Sequence, residues 1–218
     1  MAAQEISSGL AQTVLAATAD RCSNGPHTYY PAQTVTGGTG VSEDVVLDSF
    51  NCDPLGKHSM LQTAENVAAK HSISTAEQHE VVLLRYAQYQ EALSEDKAFQ
   101  KRYMDLPFAV PDPRFRKKAE EIDGDQGVVK STADGLAQLK PVVEGGTVTF
   151  GGQTHPADGN AAIVVSGVDR TRELSADSTV QIRILSAGQS RVELAYMPEA
   201  PTNAARSALQ HANLSFED

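Results

Sequence analysis

Residues 60–78 read MLQTAENVAAKHSISTAEQ, and they contain the clearest helix signals in the chain. Leu61 to Lys70 has the composition of a helix. Ser74 is followed three residues later by Glu77, which is the pattern of a capping box, because each side chain can bond the other residue's backbone N–H. The stretch therefore predicts a helix, a break, and a longer helix that opens after Ser74.

The longer helix carries apolar residues at mostly helical spacing from Glu77 to Leu93. They are Val82, Leu83, Tyr86, Ala87, Tyr89 and Leu93. This spacing predicts one buried stripe. For the tyrosine pair, core or interface packing is favoured over a platform for a ligand.

Two further elements follow this helix. Leu106 to Phe115 contains three prolines and must be extended, because proline lacks a backbone N–H and restricts its neighbours. Ser131 and Thr132 are predicted to cap a short helix through Leu139, which Pro141 ends. The basic cluster from Arg114 to Lys118 runs directly into two glutamates, which favours a solvated face and leaves a site for a phosphate-bearing ligand as the alternative.

The two flanks of the chain predict strands as well as helices. Gln12 to Ala17 indicates a short buried strand, and the polar region Arg21 to Glu43 indicates a long loop, either functional or part of an inserted subdomain. The last third is predicted to hold strands at Thr147–Phe150, Ala162–Val165, Val180–Ile184 and Val192–Tyr196, and helices at Asp169–Leu174 and Thr202–Ala212. Interleaved strands and helices predict an α/β protein with a layered sheet.

Composition excludes several classes of function. The 218 residues carry a net charge of −10, so nucleic acid and anionic membrane surfaces are poor candidate partners. No apolar run approaches the roughly 20 residues that cross a bilayer, so no membrane association is expected.

Cys22 and Cys52 are the only cysteines, and no export signal is visible, which predicts a cytoplasmic protein. Neither belongs to a C-x-x-C pair, so no metal site is expected.

Three histidine arrangements suggest chemistry, each with a simpler alternative. Cys22 and His27 could form a thiolate–imidazole pair, but nothing in a Gly/Pro loop fixes them together. His155 lies on a predicted tight turn, where it either contacts a ligand or faces water. His58 precedes a helix and is either near an anion site or an ordinary surface imidazole. None of these arrangements makes a catalytic site alone.

Both ends of the sequence suggest interrupted elements. Ala2 to Ser7 has helical composition but makes fewer than two turns, so we expect this helix to begin outside the chain. Leu214 to Asp218 is typical of a turn that leads into a strand outside the chain.

Six collinear motifs resemble those of the thiolase family. Residues 60–68 and 73–78 resemble M-G-x-T-A-E-N-V-A and I-S-R-E-E-Q, and residues 134–141 resemble D-G-L-A-K-L-K-P. Residues 146–149 match the strand before the turn A-G-N-A-S-G-x-N-D-G-A-A-A, which falls on residues 150–162. Residues 2–4 and 23–27 fit A-A-Q and M-S-N-x-P-H.

The resemblance implies a partial thiolase fold with an inserted, mostly helical loop domain that covers coenzyme A. It divides the chain into the end of the N-terminal half at 1–26, the loop domain at 27–145, return strands at 146–168 and the start of the C-terminal half at 169–218. Thiolases form or cleave a carbon–carbon bond between acyl groups carried on coenzyme A, through an acyl-cysteine. The family's nucleophilic cysteine precedes A-A-Q, and its N-E-A-F, G-H-P and C-x-G motifs follow the position of Asp218. The resemblance thus implies no catalytic residue in this chain, an acyl-CoA thioester as substrate, and no resident cofactor.

The resemblance also implies the candidate binding residues. Met60 and Thr154 match positions that line the tunnel for the pantetheine arm, and Leu139 and His155 belong to the same motifs. A methionine adapts to a flexible arm, although plain packing at a helix start explains Met60 equally well. The chain departs from the family at Leu61, at Phe150 and in the turn Gly152-Gln153-Thr154-His155. Val128 stands where the family has an arginine against the nucleotide, and either Lys130 or the cluster from Arg114 to Lys118 could replace it.

Two functions follow from these expectations. The first is a segment of a degradative or biosynthetic thiolase of the acetyl-CoA acetyltransferase type, inactive alone. The alternative is a non-catalytic module that binds coenzyme A or assembles with other thiolase segments. Exposed sheet edges predict association, either as a homo-oligomer or with such segments.

Overall fold

The computed structural model describes residues 1–20, 25–32, 34–154, 157–177 and 179–218. The chain divides into two compact units. The first comprises Met1–Val67 and Pro156–Asp218, and the second comprises Ala68–His155.

The helices and strands alternate along the chain. The helices are α1 (Ala2–Ser7), α2 (Leu47–Asn51), α3 (Met60–His71), α4 (Thr75–Ala92), α5 (Ser94–Lys101), α6 (Ala133–Ala137), α7 (Val168–Leu174) and α8 (Ala200–Ala212). The strands are β1 (Thr13–Asp20), β2 (His27–Tyr30), β3 (Val41–Asp44), β4 (Phe108–Pro111), β5 (Lys118–Ile122) and β6 (Gly159–Ser166). This mixture places the chain in the α/β class.

The first unit contains the long antiparallel pair β1–β6. Thr13 lies opposite Ser166, and Asp20 lies opposite Gly159. Helix α1 packs against both strands, and α7 packs against β6. The predicted strands at 12–17 and 162–165 are confirmed and are longer than expected, because each supplies the other's hydrogen-bonding partner. The prediction that the first strand is buried is wrong: β1 is mostly exposed, since its sheet has two described strands and is covered only in part.

A hairpin in the first unit corrects the prediction of a loop over Arg21 to Glu43. Strands β2 and β3 pair antiparallel, with Tyr30 opposite Val41. The hydroxyl of Tyr30 donates to Oε2 of Glu43 at 2.8 Å. Polar cross-strand pairs of this kind stabilise a hairpin without an apolar run. The polar composition of this region was therefore not evidence for a loop. Residues 21–24 and 33 lie outside the described residues.

Two other strand predictions are wrong. In the predicted strand Thr147–Phe150, only Thr149 forms a bridge, opposite Pro141, and a 3₁₀ turn occupies Phe150–Gly152. The alternating segments 180–184 and 192–196 contain no strand in the described part of the chain. A strand needs a neighbour to complete its hydrogen bonds, and none lies beside these segments there. Ile182 accordingly remains 88% exposed.

Helix α4 in the second unit begins as predicted, with both capping-box hydrogen bonds between Ser74 and Glu77 present. The predicted buried stripe is only half-buried, and Ala87 is exposed. The partners of α4 are the short helices α5 and α6 and the 3₁₀ turn, which cover its apolar face incompletely.

The remaining predictions for the second unit hold with small changes. Thr132 caps α6 by accepting the N–H of Gly135 at 3.2 Å, and the helix ends at Ala137, before Leu139. Within the proline-rich stretch Leu106–Phe115, Phe108–Pro111 is extended and forms β4, which pairs with β5. The prediction is wrong for residues 112–115, which form a turn closed by the hydrogen bond from the Phe115 N–H to the carbonyl of Asp112. No described helix is long and apolar enough to cross a membrane. The most buried side chains of the described residues are Thr63, Ala68, Leu136, Val148 and Thr149.

Candidate functional site at residues 147–154

The first turn of α4 holds the segment 147–154 through side-chain hydrogen bonds. The hydroxyl of Thr75 donates to the carbonyl of Thr147 at 2.8 Å. The amide Nε2 of Gln78 donates to the hydroxyl of Thr147 at 3.0 Å. Residues 75 and 78 lie on one face of the helix, because positions three apart are neighbours there. The capping box fixes the start of α4 and thereby the position of the helix face against which residues 147–154 pack.

One turn of the segment is buried against the same helix. Nε2 of His79 lies 2.8 Å from the hydroxyl of Thr149, and Thr149 is 1% exposed. On the other side, the backbone N–H of Val142 donates to the carbonyl of Val148 at 2.9 Å. Buried polar groups need such partners, so these contacts fix the path of the chain at residues 147–149.

Gly151 lies against two leucines, Leu136 in α6 and Leu139 just after it. A Cβ built on Gly151 would stand 2.9 Å from Cδ1 of Leu139 and closer still to Cδ2 of Leu136. Leu136 is buried, so this side chain has little room to move. The absence of a side chain at Gly151 is thus required for the turn to pack here, and the turn carries Thr154 three residues further on.

One charged group near this segment, the carboxylate of Glu77, is already hydrogen-bonded. Hydrogen bonds from the backbone N–H and hydroxyl of Ser74 hold the pKa of Glu77 below its usual value. The polar side chains of residues 147–154 are three threonine hydroxyls and one glutamine amide. Such a set suits a neutral ligand with amide groups better than a metal ion, and no cluster of three metal-ligating side chains occurs in the described ranges.

The four predicted binding residues fall in different places. Leu139 and Thr154 belong to the second unit, and both are exposed. Met60 belongs to the first unit, where it is half-buried at the first residue of α3. The hydroxyl of Thr63 donates to the carbonyl of Met60 at 2.6 Å, which ties down its backbone. His155 lies outside the described residues.

The remaining candidate groups do not assemble a reacting centre in the described residues. Cys52 is free and exposed at the end of α2, and Cys22 lies outside the described residues. His27 faces Asp44 across the hairpin, with 4.0 Å between Nε2 and Oδ2. The pKa of Asp44 is lowered chiefly by the hydrogen bond from the Leu47 N–H, with a smaller part from His27. His58 is half-buried, and its carbonyl accepts the N–H of Asp53 at 2.9 Å.

Sequence reasoning missed the pair His79–Thr149 and the pair Gln78–Thr147. A signal was available on each side. Thr75, Gln78 and His79 share one helical face by their spacing, and Thr147 and Thr149 alternate with a period of two. The sequence does not show that these two faces meet, because about seventy residues separate them.

Solved structures define the class of the fold. A crystal structure of the acetyl-CoA acetyltransferase of Bacillus anthracis matches 99% of this chain with a TM-score of 0.79 and 26% identity, over 53% of its own length. Human mitochondrial 3-ketoacyl-CoA thiolase in complex with CoA matches 98% of this chain with a TM-score of 0.78 and 26% identity, over 52% of its own length. The chain is an α/β protein with part of the thiolase fold.

Sequence comparisons give the family. The family model described as the N-terminal domain of thiolase matches residues 1–169. The acetyl-CoA acetyltransferase of Escherichia coli is 32% identical over 100% of this chain and 54% of its own length. The beta-ketoadipyl-CoA thiolase of Acinetobacter baylyi is 27% identical over 100% of this chain and 54% of its own length. The chain belongs to the thiolase family and spans about half the length of these curated relatives.

Proposed function

We propose that this chain is the coenzyme A-binding part of a thiolase acyltransferase of the acetyl-CoA acetyltransferase type, which makes or cleaves a carbon–carbon bond between acyl-CoA units. The main support for this proposal is a structural match. The chain matches, over 98% of its residues, a human thiolase whose structure was solved in complex with CoA. The acyl-CoA thioester is the substrate, and no further cofactor is required.

The anchored segment 147–154 supports a role in holding the pantetheine arm. Its hydrogen bonds to α4 and its packing under Leu136 and Leu139 hold the turn that leads to Thr154. The hydroxyl of Thr154 then bonds an amide of the arm, and the exposed side chain of Leu139 contacts its methylene groups. Preorganised polar groups of this kind fix the orientation of a ligand. Met60 and His155 are proposed as further binding residues on the family resemblance alone.

The chemistry requires a thiolate that takes the acyl group from the sulfur of coenzyme A, while the coenzyme A sulfur leaves and gains a proton. A reacting cysteine is activated by a neighbouring cation, imidazolium or helix N-terminus. Cys52 lies exposed at the C-terminal end of α2, which lacks that environment. In this proposal the nucleophile is supplied from outside these 218 residues, and the chain alone is inactive.

Calorimetric titration with coenzyme A tests the binding role. The chain is expected to bind, and Thr154→Val is expected to weaken binding about fivefold, because a hydrogen bond of about 1 kcal/mol is lost. Thr154→Ser is the matched control, since it keeps the hydroxyl. Equal affinity of all three proteins, or no heat at millimolar ligand, would overturn the role.

An activity assay tests the missing nucleophile. The loss of acetoacetyl-CoA in the presence of coenzyme A is followed for the chain alone, and no turnover is expected. Clear turnover that either Cys22→Ser or Cys52→Ser abolishes would place the reacting thiol inside the chain and refute this part of the proposal.

A second candidate is a coenzyme A-binding or assembly module without chemistry. It is favoured by Phe150, which is 72% exposed at the start of the turn, where the family motif has alanine. Mixing the chain with the complementary segments of a thiolase separates the two. Restored turnover supports the acyltransferase, whereas coenzyme A binding without turnover supports the module.

Association and compartment complete the proposal. Leu15, Ile163 and Ile182 are large apolar side chains in the first unit, and each is more than half exposed. They support a homo-oligomer or a complex with other thiolase segments, because exposed apolar area favours association. Size-exclusion chromatography with light scattering tests this, and a sharp monomer peak at high concentration would contradict it.

The cytoplasm is the proposed compartment, which cell fractionation tests.

A further inference from the structure

Three consecutive residues of α5 have a left-handed backbone. Glu95, Asp96 and Lys97 have φ of 51°, 56° and 61°, with ψ of 46°, 42° and 34°. L-residues adopt this conformation singly and not in runs, because each Cβ crowds the following carbonyl oxygen. The other described non-glycine residues with positive φ are isolated, and they are Lys57, Ser72, Phe115, Ala195 and Asn213. A run of three must therefore be held by contacts with other parts of the chain.

The sequence of this region favours a right-handed helix instead. The stretch from Gln88 to Arg102 contains neither glycine nor proline and consists largely of good helix formers. Residues 88, 91, 95, 99 and 102 recur at spacings of three and four, which would place them along one face of a straight helix. In the structure these residues line a concavity of about 410 Å³. A face of a straight helix is convex, so the concavity exists only while the turn is left-handed.

Asp125 joins the two sides of the left-handed turn. Burial, and next a hydrogen bond with the Asp125 carboxylate, raise the pKa of Tyr89 in α4. Nε2 of Gln100 in α5 donates to Oδ2 of the same carboxylate at 3.4 Å. In a straight helix these two positions are about 16 Å apart along the axis, so one carboxylate could not bond both. The two hydrogen bonds therefore exist together only in the bent state.

A lysine in the turn provides a further contact with the same loop. Nζ of Lys97 lies 2.5 Å from both the carbonyl oxygen and Oδ2 of Asp123. Gln100 is less well satisfied, because its buried Oε1 lacks a hydrogen-bond partner among the described residues. A buried oxygen of this kind favours a state in which water reaches it. The bent state is thus held by a few contacts and opposed by its own backbone and by this oxygen.

We infer that the turn at residues 94–97 is a conformational switch between this bent state and one continuous helix from Thr75 to Lys101. In the bent state, Asp123 and Asp125 form a clasp that holds the two sides of the turn. When the clasp is lost, the turn becomes right-handed, the concavity disappears, and the loop between β5 and α6 is released from α5. The switch lies within the second unit and does not depend on the proposed function.

The test measures a distance across the turn in the full chain. Spin labels are attached at Glu80→Cys and Arg102→Cys, in a background in which Cys22→Ser and Cys52→Ser remove the other thiols. Both labelled positions are exposed. The separation of the labels is measured by pulsed electron spin resonance.

Two variants of this labelled chain are compared. The clasp variant Asp123→Ala/Asp125→Ala leaves the sequences of α4 and α5 unchanged. The matched control Asp105→Ala/Glu144→Ala removes two exposed carboxylates of the same unit, so both variants change the net charge equally.

We expect a shorter separation while the clasp is intact, both in the labelled chain and in the control. In the clasp variant the main separation is expected to move to about 33 Å between the two backbones, the length of a straight helix over these residues. Adding Glu95→Gly to the clasp variant is expected to restore the shorter separation, because glycine accepts a positive φ and weakens a right-handed helix. General unfolding of the clasp variant would not be reversed by this glycine.

Three results would overturn the inference. The first is an unchanged separation in the clasp variant. The second is a separation of about 33 Å while the clasp is intact. The third is a long separation in the clasp variant that Glu95→Gly does not shorten, because the turn would then not be the element that changes.

Discussion

Nε2 of His79 and the hydroxyl of Thr149 are 2.8 Å apart, and Thr149 is 1% exposed. This pair joins the N-terminal part of α4 to the segment that carries Thr154. Leaving a buried hydroxyl without a hydrogen-bond partner costs more free energy than a hydrogen bond contributes. The main effect of removing His79 is therefore the unpaired hydroxyl of Thr149.

His79→Ala is expected to lower the free energy of unfolding by about 1–3 kcal/mol, because the Thr149 hydroxyl then lacks a partner. Thr149→Val is expected to cost less, since His79 is only half-buried and can bond water. Urea denaturation of both variants and the double variant measures their coupling. Strictly additive losses would show that the two side chains do not interact.

Gly151→Ala is expected to lower the free energy of unfolding by about 1–3 kcal/mol, because the new methyl group overpacks against Leu136 and Leu139. Gly152→Ala is the matched control. The nearest atom to its Cβ is Oε1 of Gln78 at 3.9 Å, which is ordinary contact. Thermal unfolding of both variants measures the difference, and equal melting temperatures would contradict the packing at Gly151.

Local signals in the sequence were sufficient where the structure is local. The capping box Ser74–Glu77 depends on residues three apart, so its prediction did not require the fold. The prediction that Thr132 caps α6 succeeded for the same reason. The candidate residues Met60, Leu139, Thr154 and His155 came from the family resemblance, and their roles stay predictions.

Sequence-based predictions failed for segments whose structure depends on residues far away in the sequence. The alternation in Val180–Ile184 suits a strand, but the described residues offer it no neighbour. Conversely, β2 and β3 form in a polar region because they pair with each other. The contacts of Thr147 and Thr149 with α4 follow the same rule, since both span about seventy residues. Pairing and packing over such distances are properties of the folded chain.

The capping box predicts a dependence of stability on acid. The pKa of Glu77 is lower in the folded chain than its ordinary value of 4.5, first because of the hydrogen bond from the Ser74 N–H. A carboxylate with a depressed pKa stabilises the fold above that ordinary value, and the contribution disappears as the pH falls through the lower folded value.

Glu77→Gln is therefore expected to lower the melting temperature at pH 6, and this effect is expected to shrink as the pH is lowered from 6 towards 2, because the wild-type carboxyl gains its proton as the pH falls through the lowered folded pKa. Melting curves at several pH values between these limits measure the change. The contribution of Glu77 ionisation would be disproved if the difference between the two proteins were independent of pH.

Gly188 tests the packing of residues 186–190 along α8 in the first unit. The hydroxyl of Ser186 donates to the carbonyl of Ala208 at 2.6 Å, and that of Ser190 donates to the carbonyl of Ala200 at 2.7 Å. A Cβ at Gly188 would stand 2.7 Å from the backbone nitrogen of Ala208. Since helix backbone cannot move aside as a side chain can, the segment must separate from α8 to accept a methyl group.

Gly188→Ala is thus expected to cost about 3 kcal/mol or more, at the upper end of overpacking effects. Hydrogen exchange should become faster at residues 186–190 and in α8. Gly159→Ala, in a strand where nothing lies within 4 Å of the new Cβ, is the control and should leave exchange in α8 unchanged. Wild-type exchange rates in Gly188→Ala would show that the segment does not rest on the helix, because no arrangement of that contact leaves room for the methyl group.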